Sequence, residues 1–187
     1  MAEIREIKKI QTPLTDDAAN GLKAGDMVSI SGVIYTARDA AHKRLVQALS
    51  DGAALPFDLE GQIIYYVGPC PAKPGQAIGP CGPTTSFRMD AYTPALLDCG
   101  LKGMIGKGQR TEPVTLAMRR NRAVYFAAVG GAAAVISKCV REAEVIAFGD
   151  LGPEAIRRLV VEDFPAIVVI DADGTDQYKI GPEAYRK

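Results

Sequence analysis

One segment of the chain, residues 68–90, excludes regular secondary structure over most of its length. Its first part, residues 68–83, contains five prolines and four glycines, and neither a helix nor a strand continues through that density. Residues 84–90 (Thr-Thr-Ser-Phe-Arg-Met-Asp) add three consecutive hydroxyls, a guanidinium and a carboxylate, which cannot be buried without partners. Long loops inside a domain are usually functional or disordered. The stiffness of Gly-Pro pairs favours an ordered loop that presents polar groups to an anion.

The composition is that of an ordinary globular protein. The 187 residues can bury a sizeable core, and no linker or repeat divides them, so residues 1–187 are interpreted as a single domain. The formal net charge is zero, which argues against a general nucleic-acid binder but allows a local anion site. No apolar run reaches the roughly 20 residues that span a bilayer. The charged opening does not resemble a secretory signal, so we expect no membrane association and a cytoplasmic location.

Strand and helix patterns alternate along most of the chain. Strands are predicted at residues 27–35, 62–67, 103–105, 124–129, 145–148, 166–170 and 178–180. Helices are predicted at residues 15–21, 38–50, 93–99, 113–120, 132–139 and 154–164. This alternation predicts an α/β fold with a mostly parallel central sheet. The more extended first half predicts a second, mixed or antiparallel sheet.

Three basic residues, Arg38, Arg88 and Lys107, stand in segments rich in turn-forming residues. Guanidinium groups bind carboxylates or phosphates in a bidentate manner. A lysine between two glycines brings both its ammonium and bare backbone N–H groups close to a ligand. Together with Thr84 and Thr85, these groups suit a small polyanion such as a dicarboxylate or a phosphoester.

Each of these residues also has a purely structural interpretation. Arg38 could begin a helix and pair with Asp39 or Asp90, and Lys107 could be solvated. His42 is the only histidine and would lie one helical turn after Arg38. It is a candidate for proton transfer or substrate contact, and a position at the surface or core edge fits equally well.

Two other kinds of site have weaker support. Residues 106–108 lack the Walker spacing, and no GxGxxG follows a strand, so nucleotide binding is poorly supported. The cysteines fit no CxxC or zinc spacing; they are Cys70, Cys81, Cys99 and Cys139. A metal or iron–sulfur site built from Cys70 and Cys81 remains an alternative to small, partly buried thiols, which are the commoner case.

Longer ordered motifs carry a resemblance to a known family. They are residues 31–44 (SGVIYTARDAAHKR), 66–69 (YVGP), 82–90 (GPTTSFRMD), 104–108 (MIGKG) and 123–134 (AVYFAAVGGAAA). Together they resemble the β-subunit of class I fumarases, and the related L(+)-tartrate dehydratase β-subunit shares the pattern. The resemblance runs from about Pro13 to Tyr185. It implies a swivelling β/β/α domain with three layers.

The resemblance also implies an activity and a partner. These enzymes are hydro-lyases that reversibly add water to fumarate to give L-malate. An oxygen-sensitive [4Fe–4S] cluster is held by three cysteines of an α-subunit or an N-terminal domain. We therefore expect an α2β2 assembly in which this chain is inactive alone and ligates no metal.

The same resemblance assigns roles to individual residues. Four are expected to bind the dicarboxylate: Arg38, Thr85, Arg88 and Lys107. Three are expected to act in catalysis: Thr84 as the base, with Asp39 and His42. Asp39 and Asp90 are expected to orient the two arginines. A threonine hydroxyl is a poor base unless nearby cations favour its deprotonation.

The choice of substrate depends on small departures from the family pattern. Phe87 stands where many relatives have a small residue, so its ring is expected to reshape the pocket. The motif at residues 36–42 is closer to fumarase than to tartrate dehydratase, where a cysteine often precedes the arginine. Fumarate hydration is therefore the main interpretation. The alternatives are a tartrate dehydratase β-subunit, a non-catalytic dicarboxylate-binding module and a structural assembly subunit.

Overall fold

Two long strands connect all parts of the sheet. The computed structural model describes residues 6–183 and 186, and in it β2 spans Met27–Thr36 and β7 spans Ile156–Ile170. The two strands pair antiparallel from Met27 opposite Ile167 to Thr36 opposite Arg157. Both are rich in valine and isoleucine, whose branched side chains favour strands.

Five further strands complete the sheet: β1 (Lys8–Gln11), β3 (Ile63–Tyr65), β4 (Gly103–Gly106), β5 (Val124–Ala127) and β6 (Val140–Ala147). β2, β3, β4 and β5 are parallel neighbours in that order. β5 pairs antiparallel with β7, which returns to β2. These five strands therefore close into a mixed barrel, while β1 extends from β2 and β6 extends from β7.

Short helices connect the strands. They are α1 (Asp16–Asn20), α2 (Asp39–Ser50), α3 (Thr93–Leu97), α4 (Glu112–Arg120), α5 (Ala133–Ile136) and α6 (Gln177–Glu183). Three-ten helices occur at Ser86–Met89, Ser137–Cys139 and Gly149–Glu154. The Thr15 hydroxyl caps α1, since it accepts a hydrogen bond from the Ala18 amide at 3.1 Å. In the described part of the chain, every helix is too short or too polar to cross a bilayer.

The two faces of the barrel strands belong to different hydrophobic clusters. Ile63 and Tyr65 of β3 and Phe126 of β5 point into the barrel, where they join Phe164 of β7. The alternate residues point outward and pack beneath α2, α3 and α4; among them are Ile64, Tyr66, Met104 and Tyr125. This alternation follows from the two-residue period of a strand. It directs two tyrosine hydroxyls, of Tyr66 and Tyr125, toward the outer layer.

The predicted α/β class is confirmed, but the predicted second sheet is not separate from the first. All seven strands form one sheet. The register shifts between Ile30 and Gly32, where β7 has an extra residue opposite β2. Each long strand pairs with two neighbours along one of its edges. Along that edge, β2 pairs first with β1 and then with β3, and β7 pairs first with β6 and then with β5.

Most predicted elements are present, with two exceptions. The strands at 27–35, 62–67, 103–105 and 124–129 and the helices at 15–21, 38–50, 93–99 and 113–120 are confirmed with small shifts at their ends. The region 132–139 is helical in two pieces, the strand at 145–148 begins earlier, at Val140, and the strand at 166–170 is the last part of β7. The loop 68–83 contains neither a helix nor a strand, as predicted.

The predicted helix at 154–164 is wrong, because most of this region belongs to β7. Leu159 and Val161 are buried, and after a bulge at Asp163 the buried residues resume at Phe164. The bulge breaks the two-residue period and produces spacings that also fit a helix. The predicted strand at 178–180 is wrong as well. There the Asp176 carboxylate accepts from the Tyr178 amide at 2.9 Å, as a helix-capping residue does, and α6 follows.

Candidate functional site

The carboxyl ends of four parallel strands bring the candidate loops to one edge of the barrel. Arg38 follows β2 closely, Gly68 follows β3, Lys107 follows β4 directly and Gly130 follows β5. In sheets with parallel strands, ligands usually bind outside these carboxyl ends. We therefore take this edge as the candidate site.

Four charged side chains form an alternating series of ion pairs at this edge. Arg88 Nε lies 2.8 Å from Asp39 Oδ1. Arg38 Nη2 lies 3.7 Å from Asp39 Oδ2 and 3.4 Å from Glu154 Oε1. Glu154 Oε2 also accepts from the Ala40 amide at 3.0 Å, near the start of α2. The contact that was expected between Asp39 and the two arginines is therefore present.

Unsatisfied polar atoms concentrate at this edge. Among the described residues, four buried side-chain nitrogen or oxygen atoms have no hydrogen-bond partner, and three of them are Arg38 Nε, Asp39 Oδ2 and His42 Nε2. Buried polar atoms are normally paired, so such a group requires an explanation. Arg38 and Asp39 are still partly exposed, at 20% and 30% of their side chains. Two of the unpaired atoms therefore belong to residues that a bound ligand can reach.

Gly68 makes room for the Arg38 side chain. A Cβ at this position would lie 2.6 Å from Arg38 Nη1 and 3.3 Å from its Cδ. Any larger residue would displace the guanidinium. The Gly-Pro pair that ends β3 in the sequence thus also positions a candidate ligand-binding arginine.

The threonine pair lies beside the Lys107 loop. Thr84 and Thr85 are half-buried. The Thr84 amide donates to the Tyr66 carbonyl at 2.8 Å, and Thr85 forms an isolated parallel bridge with Lys107. Lys107 is exposed, and its Nζ lies 3.8 Å from the position that a Cβ would take at Gly130. Backbone contacts thus hold the segment with Thr84, the predicted base, beside the loop with Lys107.

His42 lies beneath the site. It is fully buried, its Nδ1 lies 3.0 Å from the Arg38 carbonyl oxygen, and its ring packs edge-on against Tyr66. Burial lowers the pKa of His42 to about 4, so the imidazole is neutral at pH 7. With Nδ1 donating to the carbonyl, Nε2 carries a free lone pair. The His42 side chain is therefore not accessible to a ligand in this structure, and its roles in proton transfer or substrate contact stay predictions.

Asp90 does not contact either of the predicted ligand-binding arginines. Its Oδ1 pairs with Arg110 Nε at 2.7 Å, and its Oδ2 accepts from the Thr111 amide at 2.7 Å. The expectation that Asp90 orients Arg38 or Arg88 is therefore wrong. Both oxygens are occupied by the segment that follows Lys107, so Asp90 instead joins the end of the 68–90 loop to that segment.

Arg110 is the centre of a buried network that the sequence analysis missed. Its side chain is 0% exposed and lies over the rings of Tyr66 and Tyr125, at 5.3 and 5.1 Å. Its Nη2 donates to the Thr93 hydroxyl at 2.9 Å. Nothing local in the sequence distinguishes this arginine from a solvated one. Its position three residues after Lys107, with a tyrosine in each neighbouring strand, is the only available hint.

Glu154 is a second residue that the sequence analysis missed. It was placed at the start of a helix, whereas it ends the three-ten helix Gly149–Glu154 and reaches α2. Phe87, which was expected to reshape the pocket, is 61% exposed next to Arg88. It therefore lies at the rim of this edge.

The cysteines do not offer a metal site in the part of the chain that the structure describes. Cys70 and Cys99 are exposed, Cys81 is buried, and all four thiols are free. Burial raises the pKa of Cys81 to about 12, which disfavours the thiolate that a metal requires. Among residues 6–183 and 186, no group of three or more His, Cys, Asp or Glu side chains is arranged to hold a metal ion.

Comparison with known proteins shows where this arrangement occurs. A family described as "Fumarase C-terminus" matches residues 2–181. The chain is 37% identical to a putative class I fumarate hydratase of Geobacillus stearothermophilus, over 94% of the chain and 34% of that protein. It is 35% identical to fumarate hydratase 2 of Leishmania major, over 93% of the chain and 30% of that protein. The chain thus spans about a third of the length of these fumarate hydratases.

A third relative has a different length. A putative L(+)-tartrate dehydratase subunit beta of Methanocaldococcus jannaschii is 36% identical to the chain, and the match covers 93% of each protein. Each of these three matches covers the part of the chain that contains the arginines, threonines and lysine described above. The chain therefore belongs to the fumarase C-terminal family, as a β-subunit-like domain related to class I fumarate hydratases and to a tartrate dehydratase β-subunit.

Proposed function

We propose that the chain is the β-subunit of an iron–sulfur-dependent fumarate hydratase. It supplies dicarboxylate-binding and proton-transfer residues to a site that it shares with a cluster-bearing α-subunit. The reaction is the reversible hydration of fumarate to L-malate. The observation that carries this proposal is the series of ion pairs through Arg38, Asp39 and Arg88, in which Arg38 and Asp39 are partly exposed and Arg38 Nε and Asp39 Oδ2 have no hydrogen-bond partner.

The charge balance of this edge suits a dicarboxylate. Asp39 and Glu154 oppose the charges of Arg38 and Arg88, so the four groups sum to zero, and Lys107 adds one positive charge nearby. A dianion that binds to the arginines competes with Asp39 and Glu154 rather than entering a strongly positive pocket. Guanidinium groups can bind a carboxylate through two parallel hydrogen bonds, which fixes its orientation as well as its position.

These cations also suit the chemistry. When malate loses the proton next to one carboxylate, extra negative charge develops on that carboxylate. Fixed positive groups directed at that charge lower the barrier, by about 3 kcal/mol for a well-placed donor. In this proposal Arg88 and Lys107 stabilise the developing charge, and Arg38 and Thr85 hold the substrate.

The proton is accepted by Thr84 in this proposal. The deprotonated Thr84 oxygen forms a bond to the proton as the C–H bond breaks, and the electron pair of that bond is delocalised into the adjacent carboxylate. When the C–O bond breaks, this electron pair forms the new double bond, and the leaving hydroxide takes up a proton from solvent to give water. A cation close to the Thr84 oxygen would favour its deprotonated form. His42 supports this arrangement from below, because its Nδ1 holds the Arg38 carbonyl.

The described residues of this chain do not fit the iron–sulfur cluster itself. The buried thiol of Cys81 has a raised pKa, and the described residues contain no set of three ligands. We therefore assign the cluster to the α-subunit. The name of the Methanocaldococcus relative, a subunit beta, supports a partner of this kind.

Anaerobic reconstitution with the α-type subunit of the same organism tests the proposal. The assembly should hydrate fumarate, measured by loss of absorbance of the double bond. Arg88→Ala should reduce kcat/KM by roughly 100-fold, the loss expected for one charge-stabilising donor. Arg141→Ala is the matched control, since Arg141 pairs with Glu162 at the exposed surface of β6. Equal rates for the two variants would contradict the role of Arg88.

Tartrate dehydration is the second candidate, and one observation favours it. The tartrate dehydratase relative matches the chain over nearly the whole of both proteins, whereas the fumarate hydratases are about three times longer. The same assembly should be assayed with L(+)-tartrate. A kcat/KM for tartrate above that for fumarate would replace the substrate in our proposal and keep the reaction class.

A non-catalytic binding module would behave differently. Calorimetry on the isolated chain separates the two possibilities, because a half-site should bind L-malate negligibly without its partner. Micromolar binding to the chain alone, together with an inactive assembly, would favour the binding module.

A further inference from the structure

The proposed site depends on two segments that are distant in sequence. Thr84, Thr85 and Arg88 belong to one segment, and Lys107 belongs to the loop after β4. Besides the bridge between Thr85 and Lys107, the Ser86 amide donates to the Lys107 carbonyl at 2.9 Å. A network of buried side chains joins the same two segments a second time.

Two buried hydroxyls form the centre of this network. The Lys107 amide donates to Ser86 Oγ at 3.1 Å, and Ser86 Oγ lies 2.9 Å from the Tyr125 hydroxyl oxygen. Tyr125 in turn donates to the Gly108 carbonyl at 2.9 Å. Each hydroxyl has a single hydrogen. Because Tyr125 gives its hydrogen to Gly108, Ser86 must donate to Tyr125.

The result is a hydrogen-bonded circuit in which each group donates to the next in the same direction. It begins at the Lys107 amide, passes through Ser86 and Tyr125, and returns to the Gly108 carbonyl of the same loop. Such chains polarise each member and strengthen the next bond. In a buried setting, loss of one hydroxyl leaves its neighbours unsatisfied, which costs more than one average hydrogen bond.

Close packing surrounds both hydroxyls. A Cβ at Gly106 would clash with Ser86 Oγ, so the serine hydroxyl rests directly on the backbone of β4. On its other side the Tyr125 ring contacts Arg110, whose guanidinium is held by Asp90. The circuit is therefore packed between the backbone of β4 and a buried ion pair.

We propose that Tyr125 and Ser86 are positioning residues that set Lys107 relative to Thr84 and Arg88. This inference rests on the proposed function of the same site. Neither side chain is accessible to a substrate, since Ser86 and Tyr125 are both 0% exposed. They act through the backbone of residues 107 and 108, which carries the Lys107 ammonium.

The test is Tyr125→Phe in the reconstituted assembly, which keeps the ring and removes the circuit. We expect kcat to fall by about 10- to 100-fold, the loss that a small misplacement of a catalytic group produces, with KM changed less than about threefold. In a Lys107→Ala background the same substitution should change kcat by less than about threefold. A merely structural role would instead reduce activity equally in both backgrounds.

Ser86→Ala breaks the circuit at its other hydroxyl, so the test does not depend on one variant folding. It should cause the same loss, and the double variant should lose no more than either single one. Tyr65→Phe is the matched control, because the buried Tyr65 hydroxyl also donates to a backbone carbonyl, that of Cys81. Its kcat should stay within about threefold of wild type at a similar thermal stability.

The outcomes separate the two proposals. An active wild-type assembly with an unaffected Tyr125→Phe variant would overturn the positioning role alone. Equal losses for Tyr65→Phe and Tyr125→Phe would do the same. An assembly that is inactive with every dicarboxylate, although it forms a stable complex, would overturn the proposed function and the positioning role with it.

Discussion

Two of the arginine–aspartate pairs near the candidate site differ in burial and in hydrogen bonding. Arg110 and Asp90 are buried, at 0% and 7% exposure of their side chains, and lie 2.7 Å apart. Arg88 and Asp39 are 41% and 30% exposed, and neighbouring Arg38 lies more than 3 Å from each of its carboxylates. In the first pair both carboxylate oxygens are occupied. In the second, Asp39 Oδ2 has no hydrogen-bond partner.

Burial and hydrogen bonding therefore distinguish a pair that supports the fold from a pair in a binding site, even when the residue types are identical. A buried pair with complete hydrogen bonding leaves nothing for a ligand to bind. An accessible pair with unpaired atoms has capacity left, although it contributes little to stability on its own. The two regions should therefore respond in opposite ways to substitution, one in stability and the other in activity.

The largest expected effect is on stability in the buried pair. Arg110→Met keeps a long side chain but leaves the Asp90 carboxylate buried without its partner. We expect the free energy of unfolding to fall by about 3 to 5 kcal/mol, measured by urea denaturation. The control is Arg120→Met, which breaks the exposed pair with Asp98 and should cost less than about 1 kcal/mol. Equal losses in the two variants would remove the distinction between the regions.

The next effect is on activity in the accessible region. Arg38→Lys retains the charge but loses the planar guanidinium that binds a carboxylate through two bonds. We expect kcat/KM for fumarate to fall by roughly 30-fold, equivalent to about 2 kcal/mol, with unfolding changed by less than about 1 kcal/mol. A variant that lost stability and kept its activity would place Arg38 with the scaffold.

A similar magnitude is expected from the pH dependence of His42, which lies between the two regions. Burial lowers the pKa of His42 from 6.5 to about 4. Between these pH values His42 is therefore mostly protonated in the unfolded chain and mostly neutral in the folded chain. Stability therefore decreases as pH falls from about 6.5 toward 4, by about 2 kcal/mol between pH 7 and pH 5. Denaturation of His42→Gln measures this, since the variant should lose most of that pH dependence. An unchanged pH profile would show that another group is responsible.

The smallest expected effect concerns Glu154, which holds Arg38 from the side opposite Asp39. Glu154→Gln preserves an oxygen for the Ala40 amide and removes the charge next to Arg38. We expect KM to change about fivefold, since a partly exposed ion pair contributes at most about 1 kcal/mol. A loss above about 100-fold in kcat would instead give Glu154 a role in the chemistry.

The residues of the accessible region could be singled out from the sequence because local chemistry defines them. Glycines and prolines prevent regular structure in residues 68–83, and the polar groups that follow cannot be buried without partners. The parallel strands then bring Arg38 and Lys107 to the same edge. Residues of this kind are recognisable one loop at a time, before their partners are known.

The buried region was not predicted because the role of its residues depends on contacts with residues that are distant in the sequence. Arg110 resembles any loop arginine until Tyr66, Tyr125 and Asp90 surround it. The closure of the barrel is hidden for a related reason. A bulge at Asp163 shifts the alternation of buried and exposed residues along β7. The bulge lies between the part of β7 that pairs with β6 and the part that pairs with β5, so no single two-residue period describes the whole strand.

The central claim is that one dicarboxylate binds among Arg38, Arg88 and Lys107. A crystal structure of the assembled enzyme with L-malate measures this directly. We predict that carboxylate oxygens of malate lie about 3 Å from both guanidinium groups and from the Lys107 ammonium. Malate that is bound only by residues of the α-subunit, with all three cations pointing to solvent, would contradict the account.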